Sequence, residues 1–144
     1  MRLFVKWNGW SLFFAIILFI PAEMTLNIER IVRITGLSYQ VFYILDILLI
    51  IVCIILFFKS ICLMQDAMIR SRLTWLLCLS WSLYFVLMTY AMSQWLPVTR
   101  PADFPSPVLG LLLIGVLVMY PFCIVALISF LKEKAKSDEV SSVK

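Results

Sequence analysis

Four long stretches with almost no charged residues divide this chain, and they restrict its fold more than any other feature. Three of them contain no charged residue and one contains a single aspartate, Asp46; the stretches are residues 7–22, 34–58, 73–99 and 104–131. A helix that spans a bilayer needs roughly 17–25 mostly apolar residues. Because lipid offers the backbone no hydrogen-bond partners, such stretches cross a membrane as helices.

The composition indicates the same class of protein. Of the 144 residues, 64% are apolar and 14% are charged, whereas soluble domains have about 45–50% and about 25%. We therefore predict an all-α membrane protein that forms an antiparallel bundle of four transmembrane helices. We expect one transmembrane domain over 1–131, with spans at about 8–28, 39–60, 72–95 and 107–131. Residues 132–144 are polar, and we expect them to form a frayed cytoplasmic tail.

The lysines and arginines predict which end of the bundle faces the cytoplasm. Of the twelve, nine lie at the end that carries both termini, and three (Arg30, Arg33 and Arg100) lie at the other end. Cytoplasmic loops carry an excess of these residues, so we expect both termini in the cytoplasm and a multi-pass protein of the bacterial inner membrane. The net charge of +4 then needs no nucleic-acid partner.

The first stretch has an alternative interpretation as a cleaved signal peptide. Arg2 and Lys6 precede it, and Ile20-Pro21-Ala22 is a poor but conceivable cleavage site. An uncleaved span fits equally well, because neighbouring groups in a bundle can satisfy the carbonyl that Pro21 frees. The rest of the topology is the same in both cases.

Two of the connections have recognisable patterns. Residues 28–34 place apolar side chains at roughly helical spacing, which predicts one or two turns on the outer surface. A loop that binds a partner would have a similar sequence. Residues 96–107 include four prolines, so we expect a stiff, extended segment with the fourth helix starting at Pro107.

Small and polar residues recur at helical spacing in every span, and this predicts the faces that pack inside the bundle. Lipid tails are as apolar as leucine, so helices in a bilayer associate through small residues and side-chain hydrogen bonds. Packing is the simpler interpretation of these stripes, and a polar conduit is the alternative. The stripes are Asn8, Ser11, Ala15, Ala22 and Thr25; Asp46, Cys53 and Ser60; Thr74, Cys78, Ser82, Thr89 and Ser93; and Gly115, Phe122, Ala126 and Ser129.

Asp46 is the most informative single residue, because a carboxylate at mid-span costs roughly 3 kcal/mol on insertion scales. It lies about 9 Å into the outer leaflet at 1.5 Å per residue. Thr89 lies at a similar depth, and Glu23 and Ser93 lie about one turn further out. We expect the Asp46 carboxyl to accept a hydrogen bond from Thr89 or Ser93. The alternatives are a neutral carboxyl, or one that reaches Arg33 or Arg100.

Other chemistry is restricted by what the chain lacks. It contains no histidine and only four glycines, and it has no C-x-x-C or phosphate-loop motif. We therefore assign no catalytic, cofactor-binding or metal-binding residue, expect no cofactor and no enzyme, and interpret the four cysteines as free thiols. Pro121, in the middle of the fourth span, predicts a kink or a gate hinge. The candidate functional or packing residues are Asp46, Thr89, Ser93, Glu23, Ser82, Pro121 and Arg100.

Three kinds of function remain, and a membrane-embedded enzyme is the least supported of them, because the chain offers one buried carboxylate and scattered hydroxyls. The first is a non-catalytic membrane protein that contacts another membrane protein, as an accessory subunit, an assembly factor or an inhibitor of the immunity or exclusion type. In topology alone the chain is similar to the immunity proteins that protect bacteria from pore-forming bacteriocins, which implies binding rather than catalysis. The second is a homo-oligomeric transporter or channel that uses Asp46 for a small ion or solute. In either case the lipid bilayer is a partner, together with a membrane protein or a second copy of the chain.

Overall fold

The structure is a computed structural model, and it describes residues 2–64, 74–95 and 97–142. These residues form five helices: α1 (Arg2–Leu26), α2 (Ile28–Thr35), α3 (Tyr39–Leu63), α4 (Thr74–Trp95) and α5 (Pro107–Ser142). A short 3₁₀ turn covers Pro101–Asp103, and none of the described residues forms a strand. The predicted all-α class with four long helices is confirmed.

Four of the helices are long and apolar enough to cross a bilayer. The qualifying segments are Phe4–Leu26, Tyr39–Ser60, Leu76–Trp95 and Pro107–Glu133. They agree with the predicted spans to within a few residues; the predicted third span begins at residues 72–73, which lie outside the described part of the chain. At about 1.5 Å per residue, each segment is long enough for the hydrocarbon core of a bilayer, which is about 30 Å thick.

The expectation of a frayed tail is wrong for the backbone, because α5 continues to Ser142. The sequence that follows Leu131 begins Lys-Glu-Lys-Ala-Lys, and these residue types have high helix propensity. Extending an existing helix avoids the cost of nucleation. The polar tail therefore prolongs the fourth span as a helix.

The short helix α2 follows α1 almost directly. It starts after Asn27 and stops at Gly36, whose φ of 70° lies in the left-handed region that glycine adopts without strain. Ile28 and Arg30 are buried and the rest of the helix is more exposed. The predicted one or two helical turns are confirmed, and α5 also begins at the predicted Pro107.

The helix α1 lies at the centre of the bundle. It packs most extensively on α4, then on α3, and it also contacts α5. Phe14 and Ala15, near its middle, are almost completely buried. In this article, the lysine end is the end of the bundle that carries Lys6, Lys59 and Lys132, and the loop end is the end that carries α2 and the 3₁₀ turn.

Aromatic side chains from all four long helices meet at the middle of the bundle. Phe14 of α1 lies 5.6 Å from Phe57 of α3, ring centre to ring centre. Tyr120 of α5 lies 5.5 Å from Phe57 and 4.8 Å from Trp81 of α4. Tyr120 also donates a hydrogen bond of 2.8 Å to the backbone carbonyl of Phe14. This aromatic cluster (Phe14, Phe57, Trp81 and Tyr120) fills the centre with large side chains.

Candidate functional site

Several charged and polar side chains lie close to one another near the loop end, on four different helices. We call this group the loop-end polar cluster; its members are Glu23 and Thr25 of α1, Asn27, Arg30 of α2, Asp46 of α3 and Thr89 of α4. Such residues are expensive in a bilayer and usually face the bundle interior. The cluster therefore contains the best candidates for a functional site.

Asp46 is buried, with 7% of its surface exposed. Its Oδ2 atom lies 3.0 Å from the hydroxyl oxygen of Thr25, which donates to it. Its Oδ1 atom is also buried and has no hydrogen-bond partner among the residues that the structure describes. The burial is as predicted, but the predicted donors, Thr89 and Ser93, are wrong. Asp46 faces α1 because α3 packs chiefly against that central helix.

The Thr25 hydroxyl has two acceptors within reach. Its oxygen lies 2.9 Å from the carbonyl oxygen of Pro21 and 3.0 Å from Asp46 Oδ2. A hydroxyl supplies a single proton, so the Thr25 hydroxyl shares that proton between the Pro21 carbonyl and the Asp46 carboxyl.

Thr89 lies beside Glu23 and forms no hydrogen bond with Asp46. The Glu23 carboxylate accepts a 2.8 Å hydrogen bond from the Asn27 side chain, and the positive charge of Arg30 acts on the same carboxylate. The Thr89 hydroxyl also acts on it but forms no hydrogen bond of regular geometry with any described residue, although its oxygen is buried. On the acceptor side of the cluster, Asp46 Oδ1 and Thr89 Oγ1 are thus buried without a regular hydrogen bond to a described residue.

Ser82 and Ser93, both candidates from the sequence, do not join the cluster. Both are exposed, and each hydroxyl donates to the backbone carbonyl three residues earlier, at 2.6 Å for Ser82 and 2.7 Å for Ser93. The prediction that Ser82 faces the interior is wrong. The buried face of α4 is centred near Trp81, and one residue corresponds to a rotation of about 100° around a helix.

Sequence reasoning missed two polar contacts between α1 and α4. The hydroxyls of Ser11 and Ser80 are 2.6 Å apart, and Tyr84 donates a 3.0 Å hydrogen bond to the Asn8 side chain. The predicted stripe of the first span included Asn8 and Ser11, but the sequence did not indicate which residue of another helix each would contact. The available signal was the spacing of the large residues of α4, since Leu77, Trp81, Tyr84 and Met88 follow steps of four, three and four.

Arg100 lies in the loop between α4 and α5 with an exposed side chain. Its backbone N–H donates to Asp103 Oδ2 at 3.2 Å, and Arg33 of α2 forms an ion pair with the same oxygen at 3.0 Å. Asp103 is 3% exposed and was missed by sequence reasoning. Burial opposes ionisation of Asp103, but the backbone N–H groups of Thr99 and Arg100, the Arg33 guanidinium and the Thr99 hydroxyl together outweigh it and lower its pKa.

The stripe of the fourth span was predicted to face the interior of the bundle, but it lies on the outer side of α5. Gly115, Phe122, Ala126 and Ser129 are all exposed, whereas Ile124 and Ile128 are buried. Nothing lies within 4 Å of the position where a side chain on Gly115 would begin. The prediction of a seam inside the bundle is therefore wrong for this helix. Pro121 is half-buried within α5, beside Tyr120 of the aromatic cluster.

The remaining stripes agree better with the structure. Ser11, Ala15, Asp46, Cys53, Ser60 and Cys78 are buried, as their spacing predicts. Cys53, Cys78 and Cys123 are free thiols, while the side chains of Cys62 and Thr74 lie outside the described residues. Within the described ranges, no three His, Cys, Asp or Glu side chains form a group that could hold a metal ion.

Together the helices define an all-helical protein with four membrane-spanning segments and a polar cluster near one end. Compared with known proteins, the chain matches no family model, no curated protein and no solved structure. We therefore infer the function from the geometry of the chain itself.

Proposed function

We propose that this protein works without catalysis, through helix–helix contact with another membrane protein. It would act as an accessory subunit, an assembly factor or an inhibitor of the immunity or exclusion type, in a bacterial inner membrane. The nine-to-three distribution of lysine and arginine supports an orientation with both termini in the cytoplasm. The topological similarity to bacteriocin immunity proteins is consistent with this class.

The outward stripe of α5 is the observation that carries the proposal. Gly115, Ala126 and Ser129 are small, share one side of the helix and face away from the rest of the bundle. Small residues allow the backbones of two membrane helices to approach closely, which is the main source of attraction where lipid and leucine are equally apolar. In α5, 17% of the apolar segment is buried, compared with 22% in α3 and α4 and 33% in α1, so α5 has the largest share of its surface outside the bundle.

Two further features favour contact over transport or catalysis. The aromatic cluster separates the loop-end polar cluster from Ser11 and Asn8 near the lysine end, so polar groups do not continue through the centre of one molecule. In the loop-end polar cluster, the Asp46 carboxylate accepts a hydrogen bond from the Thr25 hydroxyl, and the Glu23 carboxylate accepts one from the Asn27 side chain. An active site needs several convergent groups around a space for substrate.

Site-specific photo-crosslinking in native membranes tests the proposal. A photoreactive residue is placed at Ser129 in one variant of the full-length protein and at Cys123 in another. Both positions are small and exposed on α5, but Cys123 lies about 120° around the helix from Ser129 and serves as the matched control. We expect Ser129 to give one discrete adduct with a different membrane protein, and Cys123 to give none.

The expected adduct has a second requirement. A variant with the photoreactive residue at Phe122, on the same stripe, should give the same adduct. Adding Ala126→Leu to this variant should abolish the adduct, because the larger side chain holds the helices apart. Adducts of equal yield from Ser129 and Cys123, adducts only with a second copy of this chain, or no adduct at all would contradict the proposal.

Asp46 supports a second candidate, a homo-oligomeric transporter or channel for protons or small cations. The observation that favours it is the buried Oδ1 atom with no hydrogen-bond partner among the described residues. Asp46→Asn keeps the shape and removes the titrating charge. Loss of ion flux in liposomes together with normal folding would support this candidate. Full activity of Asp46→Asn would reject it.

A further inference from the structure

A groove of about 410 Å³ lies between α1 and α3 at the lysine end of the bundle. Its walls include Trp10 and Phe13 of α1 and Leu56 of α3, and its polar residues are Lys6, Lys59 and Ser60. Gly9 opens one wall, because nothing lies within 4 Å of the position where a side chain would begin. The groove is thus mostly apolar, with positive charge at one end.

The two lysines come together because α1 and α3 run antiparallel. Lys6 lies near the first residue of the segment Phe4–Leu26, and Lys59 lies next to the last residue of Tyr39–Ser60. Both are therefore at the boundary of the bilayer, where a lysine extends its ammonium group toward the headgroups while its methylene chain stays in apolar surroundings. Ser60 is committed elsewhere, since its hydroxyl donates to the carbonyl of Phe57.

We propose that this groove binds a phospholipid with an anionic headgroup. The phosphate lies between Lys6 and Lys59, and an acyl chain lies along Trp10, Phe13 and Leu56. Basic pockets between membrane helices bind anionic headgroups in this way. Both ammonium groups line the same groove, so a phosphate that lies in it is attracted to both. The site lies on α1 and α3, so it is independent of the α5 face described above.

The test uses the purified full-length protein in a neutral detergent. Binding of phosphatidylglycerol and of phosphatidylcholine with the same acyl chains is measured by native mass spectrometry. We expect phosphatidylglycerol to bind about ten-fold or more tightly, because each lysine near a membrane surface contributes roughly a five-fold factor toward anionic lipid. Raising the salt concentration should reduce this preference, since both ammonium groups lie near water.

Three variants localise the binding. Lys6→Gln with Lys59→Gln should reduce the phosphatidylglycerol affinity to the level of phosphatidylcholine. Lys132→Gln removes a charge at the same end of the bundle but outside the groove lining, and should change the affinity less than two-fold. Gly9→Leu should weaken binding by filling the groove with both lysines in place.

Gly110→Leu is the matched control for Gly9→Leu, because it adds the same side chain at another glycine with open space around it. It should leave lipid binding unchanged. Equal affinities for the two lipids would overturn the proposal. So would an equal loss in Lys132→Gln, normal binding by Gly9→Leu, or displacement of the lipid by millimolar inorganic phosphate, which would indicate a site for a free anion.

Discussion

At the scale of single residues, the Thr25–Asp46 contact is the hydrogen bond that decides how a carboxyl can lie inside this bundle. Thr25 is the one described donor to Asp46, at 3.0 Å, and a buried polar group without a partner costs about 1–3 kcal/mol. The position of Asp46 on an inward face was predictable from its steps of seven residues to Cys53 and Ser60. Its donor was not, because spacing within one helix says nothing about which neighbour that helix packs against.

We expect Thr25→Val to lower the free energy of unfolding by about 1–2 kcal/mol, because Asp46 then loses its donor. Thr35→Val is the control, since Thr35 is exposed and its hydroxyl bonds only within its own loop and helix. Unfolding of the two variants in mixed detergent, followed by circular dichroism, measures the difference. Equal stability of Thr25→Val and Thr35→Val would show that the Thr25 hydroxyl does not support Asp46.

Asp103 predicts a pH dependence at the loop end. Its pKa in the folded protein is lowered from 3.8, so its contribution to stability is present above pH 3.8 and is lost as the pH falls through the lower folded value. We expect amide-exchange protection factors at Arg100 and Asp103 to fall over that range. The change should be absent in Asp103→Asn and retained in Glu133→Gln, which alters an exposed carboxylate at the other end. A fall of the same size in Asp103→Asn would contradict this role.

At the scale of helices, the rule that small residues mark packed faces works for α1 and α3, works in part for α4, where Cys78 is buried, and fails for α5. Each span is apolar on all sides, so the hydrophobic pattern does not distinguish the inner face. In α4 the inner face carries Trp81 and Phe85, and in α5 it carries Ile124 and Ile128. Large side chains fill those interfaces, and the small residues are left at the edge or on the outside. Only a three-dimensional arrangement settles which kind of packing each pair of helices uses.

Ala15 provides the test for close packing of the central helix. It is completely buried on α1, so Ala15→Leu should destabilise the bundle by about 1–3 kcal/mol through overpacking. Ala91→Leu, at an exposed position of α4, should change stability by less than about 0.5 kcal/mol. Thermal unfolding of both variants in detergent measures the contrast. A tolerated Ala15→Leu would mean that the helices around α1 are further apart than described.

At the scale of the whole molecule, charge alone predicted the number of spans and their ends, because every long uncharged stretch became a helix. The ends differ in sign as well. By sequence, the loop end has three arginines and four carboxylates (Glu23, Glu29, Asp46 and Asp103), which gives it a net charge of −1. The whole chain has a net charge of +4, so the lysine end has a net charge of +5. The central place of α1 was not predictable, since all four spans have similar composition and any of them could be surrounded by the others.

The most direct test of this architecture is labelling of single cysteines with a membrane-impermeant maleimide in intact cells, in a background without the four native cysteines. Thr35→Cys and Ser106→Cys lie at the loop end, and Glu133→Cys lies at the lysine end; all three positions are exposed. The account predicts that the first two are labelled from outside and that Glu133→Cys is labelled only after the membrane is permeabilised. Labelling of Glu133→Cys in intact cells, or different behaviour of Thr35→Cys and Ser106→Cys, would contradict it.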